Sequence, residues 1–319
     1  MKPVTAATLA RLDAADLGSG ASPSTDGGDD RSGRYWKVVD STFATAIKIA
    51  LITGRPLLLE GDSGCGKSSL ARAVAATLGW TYYETVVTSQ AAIEQLTGSV
   101  DHVQRLHAAE LCATTRQEFD ADPAGFLVPG VLWWAFAPDD AAVAGRVPEG
   151  SGRRTDPGVQ PLAPNVTDPG AVVLIDEIDK ADPDLPNNLL VPLGSHRLAI
   201  EARAEAVEAT RPVLVCVTSN KERDMPPAFL RRCVTVSLTY RSPDDLVEIA
   251  IRHVAGARQL AATVKRLFLD GPPERKMSTA EFVDAVRAAV GLGLDAAGKD
   301  PVWAEVRAVL SASHERRRM

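Results

Sequence analysis

The sequence segment that decides the fold is Leu57-Leu58-Leu59-Glu60-Gly61-Asp62-Ser63-Gly64-Cys65-Gly66-Lys67-Ser68-Ser69-Leu70. Its three leucines are typical of a short strand that is buried on both faces of a parallel sheet. An alanine-rich helical pattern starts at Ser68, so the glycine-rich residues between them form a loop that joins a strand to a helix. Every fixed position of the motif G-x-x-x-x-G-K-[ST] is filled, by Gly61, Gly66, Lys67 and Ser68.

The composition of this loop predicts a polyphosphate site. Glycines allow backbone N–H groups to point at a ligand, and the following helix adds the positive end of its dipole. We expect Lys67 to reach the outer phosphates of a nucleoside triphosphate and the Ser68 hydroxyl to bind Mg²⁺. An accidental glycine-rich turn is the alternative, but the flanking strand and helix are the context that the motif requires. The predicted nucleotide-binding residues are Gly61, Asp62, Ser63, Gly64, Cys65, Gly66, Lys67, Ser68 and Ser69.

A second apolar run, residues 171–175, ends abruptly in the two acids Asp176 and Glu177. Packing alone does not explain two carboxylates at the end of a buried strand. We expect Asp176 to hold Mg²⁺ through its water shell and Glu177 to polarise the attacking water. The alternative is a pair of acids that only caps a helix after the strand.

Further polar candidates follow a third strand-like run, residues 212–218. Asn220 comes at the carboxyl end of this run, which faces the ligand crevice in a doubly wound sheet, so it is a candidate for orienting the water. Taken alone, an asparagine there is more typical of a turn. Arg231 and Arg232 follow a helical pattern, and solvated charges are the usual interpretation of such a pair.

Composition limits the function classes that fit this chain of 319 residues. Its net charge of −6 argues against a general nucleic-acid grip, which needs a basic surface. Its four cysteines have no metal-ligand spacing and are typical of buried free thiols in a reducing cytosol. No apolar run approaches the roughly 18 residues that a membrane span needs, so we expect a cytoplasmic protein.

The sequence divides into three parts. Residues 1–33 are predicted to be a flexible tail, residues 34–240 a nucleotide-binding domain, and residues 241–319 a small helical domain. Within the second part, residues 138–169 are rich in proline, glycine and aspartate and predict a mobile surface insertion. The apolar segment before it contains Trp133 and Trp134, which are either core residues or an exposed loop that grips a partner.

Taken in order, these motifs resemble those of an AAA+ ATPase, and specifically of the MoxR-like branch. The resemblance covers about residues 35–290 and rests on the phosphate loop, Ile175-Asp176-Glu177-Ile178-Asp179-Lys180-Ala181, Thr218-Ser219-Asn220 and Ala228-Phe229-Leu230-Arg231-Arg232-Cys233. It implies an α/β fold of the P-loop NTPase type. In this fold a parallel central sheet lies between helices in an αβα sandwich, and a small, truncated helical lid follows.

The resemblance also implies roles for individual residues. Glu177 takes the place of the catalytic base, and Asn220 that of the sensor at the end of the next strand. An arginine finger falls on Arg232, with Arg231 as the alternative, because Cys233 replaces the aromatic residue that usually follows the finger. Lys276 is the candidate for a second sensor. Since a finger acts on the neighbouring subunit's nucleotide, the resemblance implies a homo-oligomeric ring, a hexamer.

The function implied is an ATPase that remodels or activates a partner protein. In this family the partner often carries a von Willebrand factor A domain, and some members with short lids look like parts of bacterial conflict or defence systems. Two alternatives stay open: a nucleotide-dependent oligomerisation switch with slow hydrolysis, and a nucleic-acid motor that could use GTP. The net negative charge of the chain disfavours the nucleic-acid motor. The phosphate loop does not distinguish ATP from GTP, and ATP is the family default.

Overall fold

The computed structural model describes residues 3–13, 16–17, 36–37, 41–115, 118–119, 121–145, 153–159, 169–270 and 277–315. The chain folds into two compact units. The first comprises residues 1–13, 41–59 and 78–236, and the second comprises residues 14–40, 60–77 and 237–319.

The strands are β1 (Asp16–Leu17), β2 (Trp36–Lys37), β3 (Leu57–Glu60), β4 (Thr81–Val86), β5 (Gly98–Val100), β6 (Leu127–Pro129), β7 (Ala171–Asp176), β8 (Arg197–Leu198), β9 (Val207–Glu208), β10 (Val213–Ser219) and β11 (Val234–Ser237). The helices are α1 (Ala6–Ala10), α2 (Ser41–Thr53), α3 (Lys67–Leu78), α4 (Ile93–Thr97), α5 (His102–Thr115), α6 (Val131–Phe136), α7 (Pro138–Ala142), α8 (Asp184–Asn188), α9 (Leu190–Ser195), α10 (Pro227–Leu230), α11 (Pro243–His253), α12 (Arg258–Phe268), α13 (Thr279–Gly291) and α14 (Val302–Glu315).

A parallel sheet of five strands, in the order β11-β3-β10-β7-β4, forms the centre of the fold. β7 lies between β10 and β4, with Val173 opposite Val215 of β10 and Tyr83 of β4. Every residue of β7 and β10 is buried. A parallel sheet covered on both faces demands apolar side chains on both, which explains why these strands are continuous apolar runs in the sequence. The predicted α/β fold with a parallel central sheet is confirmed.

The two tryptophans belong to the core of the first unit. Trp133 is fully buried and Trp134 is 4% exposed, both on α6, which packs against β4 and β7. The indole nitrogen of Trp133 donates a hydrogen bond to Asp140 at 2.7 Å, so its only polar side-chain group is satisfied. Of the two interpretations of this pair, the core is correct.

Two pieces of the segment expected to be a mobile insertion, residues 138–145 and 153–159, make specific contacts with the first unit, although Arg153, Thr155, Pro157 and Val159 are exposed. Helix α7 buries Ala141 completely. The Tyr83 hydroxyl donates to Asp156 at 2.9 Å, and the backbone of Val159 pairs with that of Tyr82. Composition suggested a free loop, but these contacts fix both pieces beside the sheet. Residues 146–152 and 160–168 lie outside the described residues.

Part of the predicted flexible tail is also ordered. Helix α1 leads into a 3-10 turn, Arg11–Asp13, in which Leu12 is fully buried. The Arg11 guanidinium donates to the carbonyl oxygen of Leu78 at 2.9 Å, and Asp13 forms an ion pair with Lys48. These contacts place residues 6–13 within the folded first unit, although the predicted domain boundaries themselves stay a prediction.

The carboxyl-terminal helices α11–α14 have a hydrophobic core of their own, built around Phe282, Val286 and Trp303. A capping box begins α13: Ser278 accepts from the Glu281 backbone N–H, and Glu281 accepts from that of Ser278. Across the part of the chain that the structure describes, helices are too short or too polar to cross a bilayer.

Candidate active site

The phosphate loop joins β3 to α3, as the sequence predicted, and its conformation depends on glycine. Gly61 has φ of 152° and Gly64 has φ of 79°, values that other residues rarely adopt. A Cβ atom on Gly64 would lie 2.7 Å from the Ser278 hydroxyl, and the Ala280 backbone N–H donates to the Gly64 carbonyl at 3.3 Å. The loop therefore packs closely on the start of α13, and Gly64, which the motif leaves variable, is constrained as strongly as the fixed glycines.

Lys67 is held by its own loop. The residue is only 7% exposed, and its ammonium donates to the carbonyl oxygens of Gly61 at 2.7 Å and Asp62 at 2.9 Å. A charged group taken out of water needs such partners. Phosphate oxygens offer the ammonium stronger, charge-assisted hydrogen bonds than carbonyls do. Lys67 thus stays beside the loop, where phosphate oxygens can replace the two carbonyl oxygens as its hydrogen-bond partners.

The remaining loop residues differ in exposure. Asp62 and Ser63 are exposed, Ser68 and Ser69 are half-buried at the start of α3, and Cys65 is 2% exposed. Burial raises the pKa of the Cys65 thiol, which keeps it protonated at neutral pH. Cys65 therefore packs inside the loop as a buried thiol.

The two acids occupy the end of β7 and are connected by a residue of β10. The Thr218 hydroxyl donates to Asp176 Oδ1 and accepts a hydrogen bond from the Glu177 backbone N–H at 2.9 Å. Thr218 is fully buried and Asp176 is 7% exposed, so both partners are shielded from water. A single hydroxyl thus holds the side chain of one acid and the backbone of the other. The sequence alone predicted no role for Thr218.

Glu177 adopts a conformation that few non-glycine residues tolerate, with φ of 61° and ψ of 46°. Such a residue costs about 1–3 kcal/mol, which the surrounding contacts must offset, and such strain is typical of functional sites. Its carboxylate accepts from the Lys180 ammonium at 2.8 Å. This hydrogen bond raises the pKa of Lys180. Sequence reasoning missed this partner of the predicted base.

Asn220 is positioned by a buried carboxylate. Asp179 is 1% exposed, and its Oδ2 atom accepts from the backbone N–H groups of Asn220 at 3.0 Å and Glu222 at 3.1 Å. Oδ1 of the same side chain has no hydrogen-bond partner within the described residues. Thr218 thus joins Asp176 to Glu177, and Asp179 separately fixes the backbone of Asn220.

The other predicted residues lie apart from this group or outside the described part of the chain. Arg231 and Arg232 follow α10 directly, and both are exposed. The next residue, Cys233, is 5% exposed and packs into the core. Their shared exposure does not single out one of them as the finger. Lys276 lies outside the described residues, which resume at Met277, just before the amino-terminal cap of α13.

Two of the predicted metal ligands have the donor types that magnesium prefers. Mg²⁺ in phosphate-transfer sites takes one or two carboxylate or hydroxyl oxygens, with water and phosphate completing its octahedron. In the first unit Asp176 offers a carboxylate that Thr218 keeps oriented, and in the second unit Ser68 offers a hydroxyl at the start of α3. A dedicated protein cage, as calcium requires, is not needed for this ion.

Comparison with known proteins identifies the family. Residues 56–233, more than half of the chain, match the AAA domain of the dynein-related subfamily. Among solved structures, the chain is similar to a point mutant of RuvB from Thermotoga maritima, with 12% identity over 85% of this chain and 69% of that one and a TM-score of 0.44. It is also similar to NtrX from Brucella abortus, with 14% identity over 84% of this chain and 53% of that one and a TM-score of 0.47. No curated protein sequence matches the chain.

Proposed function

Because the chain belongs to the AAA domain family (dynein-related subfamily), we propose that it binds ATP with Mg²⁺ and hydrolyses it to ADP and phosphate. The observation that carries this proposal is the group around Asp176 and Glu177. A buried threonine holds both acids, and the second acid is strained, as expected for residues that handle a metal ion and a water molecule. The phosphate loop supplies the groups that bind the phosphates of the nucleotide.

In this proposal the phosphate loop binds the nucleotide. Its backbone N–H groups surround the phosphates, and Lys67 exchanges the carbonyl oxygens of Gly61 and Asp62 for oxygens of the outer phosphates. Asp176 and Ser68 would hold Mg²⁺, which would neutralise charge on the phosphates. The proposal requires that the loop and the acid group act on the same nucleotide.

Hydrolysis depends on Glu177. As the general base, its carboxylate accepts a proton from the attacking water, and the Lys180 ammonium, which binds its Oε2 atom, competes with the water for this carboxylate. Asn220, fixed by Asp179 through its backbone, orients that water. Thr218 keeps the backbone of Glu177 in place during this exchange, so that only the side chain moves.

An arginine from a neighbouring subunit completes the site in this proposal. Arg232, with Arg231 as the alternative, is exposed on its own subunit and is thus accessible to the nucleotide of the next one. This arrangement requires a homo-oligomeric ring, which we propose to be a hexamer. A second sensor at Lys276 is part of the same proposal.

The client is a protein that the ring remodels or activates. The finer assignment, to the MoxR-like branch with a client that contains a von Willebrand factor A domain, rests on the sequence motifs alone. A role in a bacterial conflict or defence system, in the cytoplasm, has the same basis.

A slow nucleotide-dependent switch is the second candidate, and the ion pair between Glu177 and Lys180 favours it. While the base is paired, hydrolysis has to wait for the pair to open. The ring would then persist in its ATP-bound form and use hydrolysis as a timer.

Release of phosphate from ATP tests the proposal. With Mg²⁺ the unaltered protein should turn ATP over, and Glu177→Gln should bind ATP with unchanged affinity but lose about a thousandfold in rate, the effect of removing a general base. Glu201→Gln, which changes an exposed acid in a turn, is the matched control and should be unaffected. Full turnover by Glu177→Gln, or no binding of ATP by the unaltered protein, would contradict the proposal.

A further inference from the structure

We propose that Arg55 is the positioning residue for the Arg231–Arg232 pair. It holds the turn on which the trans-acting arginine is presented to the next subunit. This inference rests on the proposed function, since it needs a ring in which one subunit completes the site of another.

The guanidinium of Arg55 contacts three consecutive backbone carbonyls. Its Nε donates to the carbonyl oxygen of Arg232 at 3.0 Å, and one terminal nitrogen donates to those of Arg231 and of Cys233, the latter at 2.9 Å. Next to it, the Val234 backbone N–H donates to the Pro56 carbonyl at 2.8 Å. The turn is thus held through its main chain, which leaves the side chains of the two arginines available to act elsewhere.

The turn needs such a clamp because the helix before it is very short. Helix α10 has four residues, Pro227–Leu230, and a single turn has little stability of its own. Carbonyl groups after the last helical residues have no partner within the helix. The planar fork of an arginine can donate to several carbonyls at once, whereas a lysine ammonium is a point charge without that geometry.

Arg55 is exposed, which separates positioning from general stability. Hydrogen bonds at the surface compete with water and add little to folding, so three of them on one turn are better explained by the need to fix its orientation. Beside the turn lies a cavity of about 260 Å³, whose lining includes Arg55, Arg231, Arg232, Leu193 and Phe229. This space would let the turn shift if the clamp were removed.

Loss of the Arg55 clamp should change the direction in which the arginine pair points. Arg55 lies two residues before Leu57, the first residue of the strand that leads into the phosphate loop of its own subunit. A displacement of about 1 Å in a group that stabilises the transition state is enough to reduce a rate about a hundredfold. Loss of Arg55 should therefore weaken hydrolysis in the neighbouring subunit and leave the subunit's own site intact.

Mixing of variants tests this prediction. Arg55→Ala and Arg55→Lys should each reduce ATP turnover by about tenfold to a hundredfold, with ATP affinity unchanged. An equal mixture of Arg55→Ala with Glu177→Gln should regain activity, because Glu177→Gln subunits carry an intact arginine turn and can serve the intact sites of Arg55→Ala subunits. Arg197→Ala, which removes an exposed arginine paired with Glu208, is the matched control and should keep full turnover.

The mixture of Arg232→Ala with Glu177→Gln calibrates the result. If it regains activity and the Arg55→Ala mixture does not, Arg55 acts within its own subunit and the inference is wrong. Full turnover by Arg55→Ala alone overturns it as well. If neither mixture regains activity, the ring with a trans-acting arginine is contradicted, and the inference falls with that part of the proposed function.

Discussion

The phosphate loop and the acid group are held in opposite ways. In the loop, backbone conformation does the positioning: three glycines, Gly61, Gly64 and Gly66, take φ values that other residues avoid, and Lys67 binds carbonyls of the same loop. In the acid group, a side chain does the positioning: the Thr218 hydroxyl binds the carboxylate of Asp176 and the backbone N–H of Glu177. The loop must therefore exchange partners when a nucleotide binds, whereas the acid group is already arranged and has only the Glu177–Lys180 pair to open.

The largest effect is expected from removal of the group that exchanges partners. Lys67→Ala eliminates the ammonium that the outer phosphates capture, so we expect nucleotide binding, and with it all turnover, to be abolished. Titration calorimetry measures the change. Lys299→Ala, at an exposed turn, should bind ATP normally. Tight binding by Lys67→Ala would show that the loop holds the nucleotide through its backbone alone.

The next largest effect concerns the arginines, which lie outside both groups. Arg232→Ala should leave ATP binding intact and reduce turnover by about a thousandfold, the lower range for an arginine finger. Arg231→Ala is the natural control and should retain most of the activity. Steady-state kinetics on the two variants distinguishes them, and the reverse order of effects would assign the finger to Arg231.

A smaller effect should follow from loosening the acid group. Thr218→Val keeps the shape of the side chain but removes the hydroxyl that both acids share. We expect turnover to fall about tenfold to a hundredfold with ATP affinity nearly unchanged, because misplacement affects the reacting groups more than the phosphates. Thr218→Ser restores the hydroxyl and should recover most of the rate. Equal activity of Thr218→Val and the unaltered protein would mean that the acids need no such clamp.

The smallest effect should come from freeing the base. Lys180→Met removes the partner that Glu177 must leave, so turnover should rise a few-fold. The pKa of Lys180 is raised by its hydrogen bond to Glu177, so the ion pair persists below that pKa and is lost only as the pH rises through it. The gain should therefore be constant from about pH 6 to 9 and vanish only at strongly alkaline pH. A lower rate for Lys180→Met would instead give Lys180 a direct role in catalysis.

Sequence reasoning identified the groups whose members are adjacent in the chain. The phosphate loop and the acid pair are such local patterns, and the strands that carry them are continuous apolar runs because both faces of the sheet are covered. Thr218 became visible only through the register of two strands, in which Val217 lies opposite Ile175 and the next residue reaches Asp176. The same holds for Arg55, whose partners are more than 170 positions away.

Composition predicted the structure less well than the local sequence motifs did. Proline and glycine suggested a mobile insertion at residues 138–169, but buried alanines of α7 and the bond from Tyr83 to Asp156 tie the described parts to the sheet. Similarly, Leu12 is buried within the residues 1–33 that were predicted to be a flexible tail. In both places a few long-range contacts outweigh the local preference for a loop.

The mass of the Glu177→Gln protein in solution, with and without ATP and Mg²⁺, tests the central claim most directly. This variant should bind ATP and fail to hydrolyse it, which holds the protein in its ATP-bound form. We predict a shift from a small species to a closed ring when ATP and Mg²⁺ are added, a shift that Lys67→Ala in the same chain should abolish. A single small species under both conditions, with ATP measurably bound, would contradict nucleotide-driven assembly of the ring.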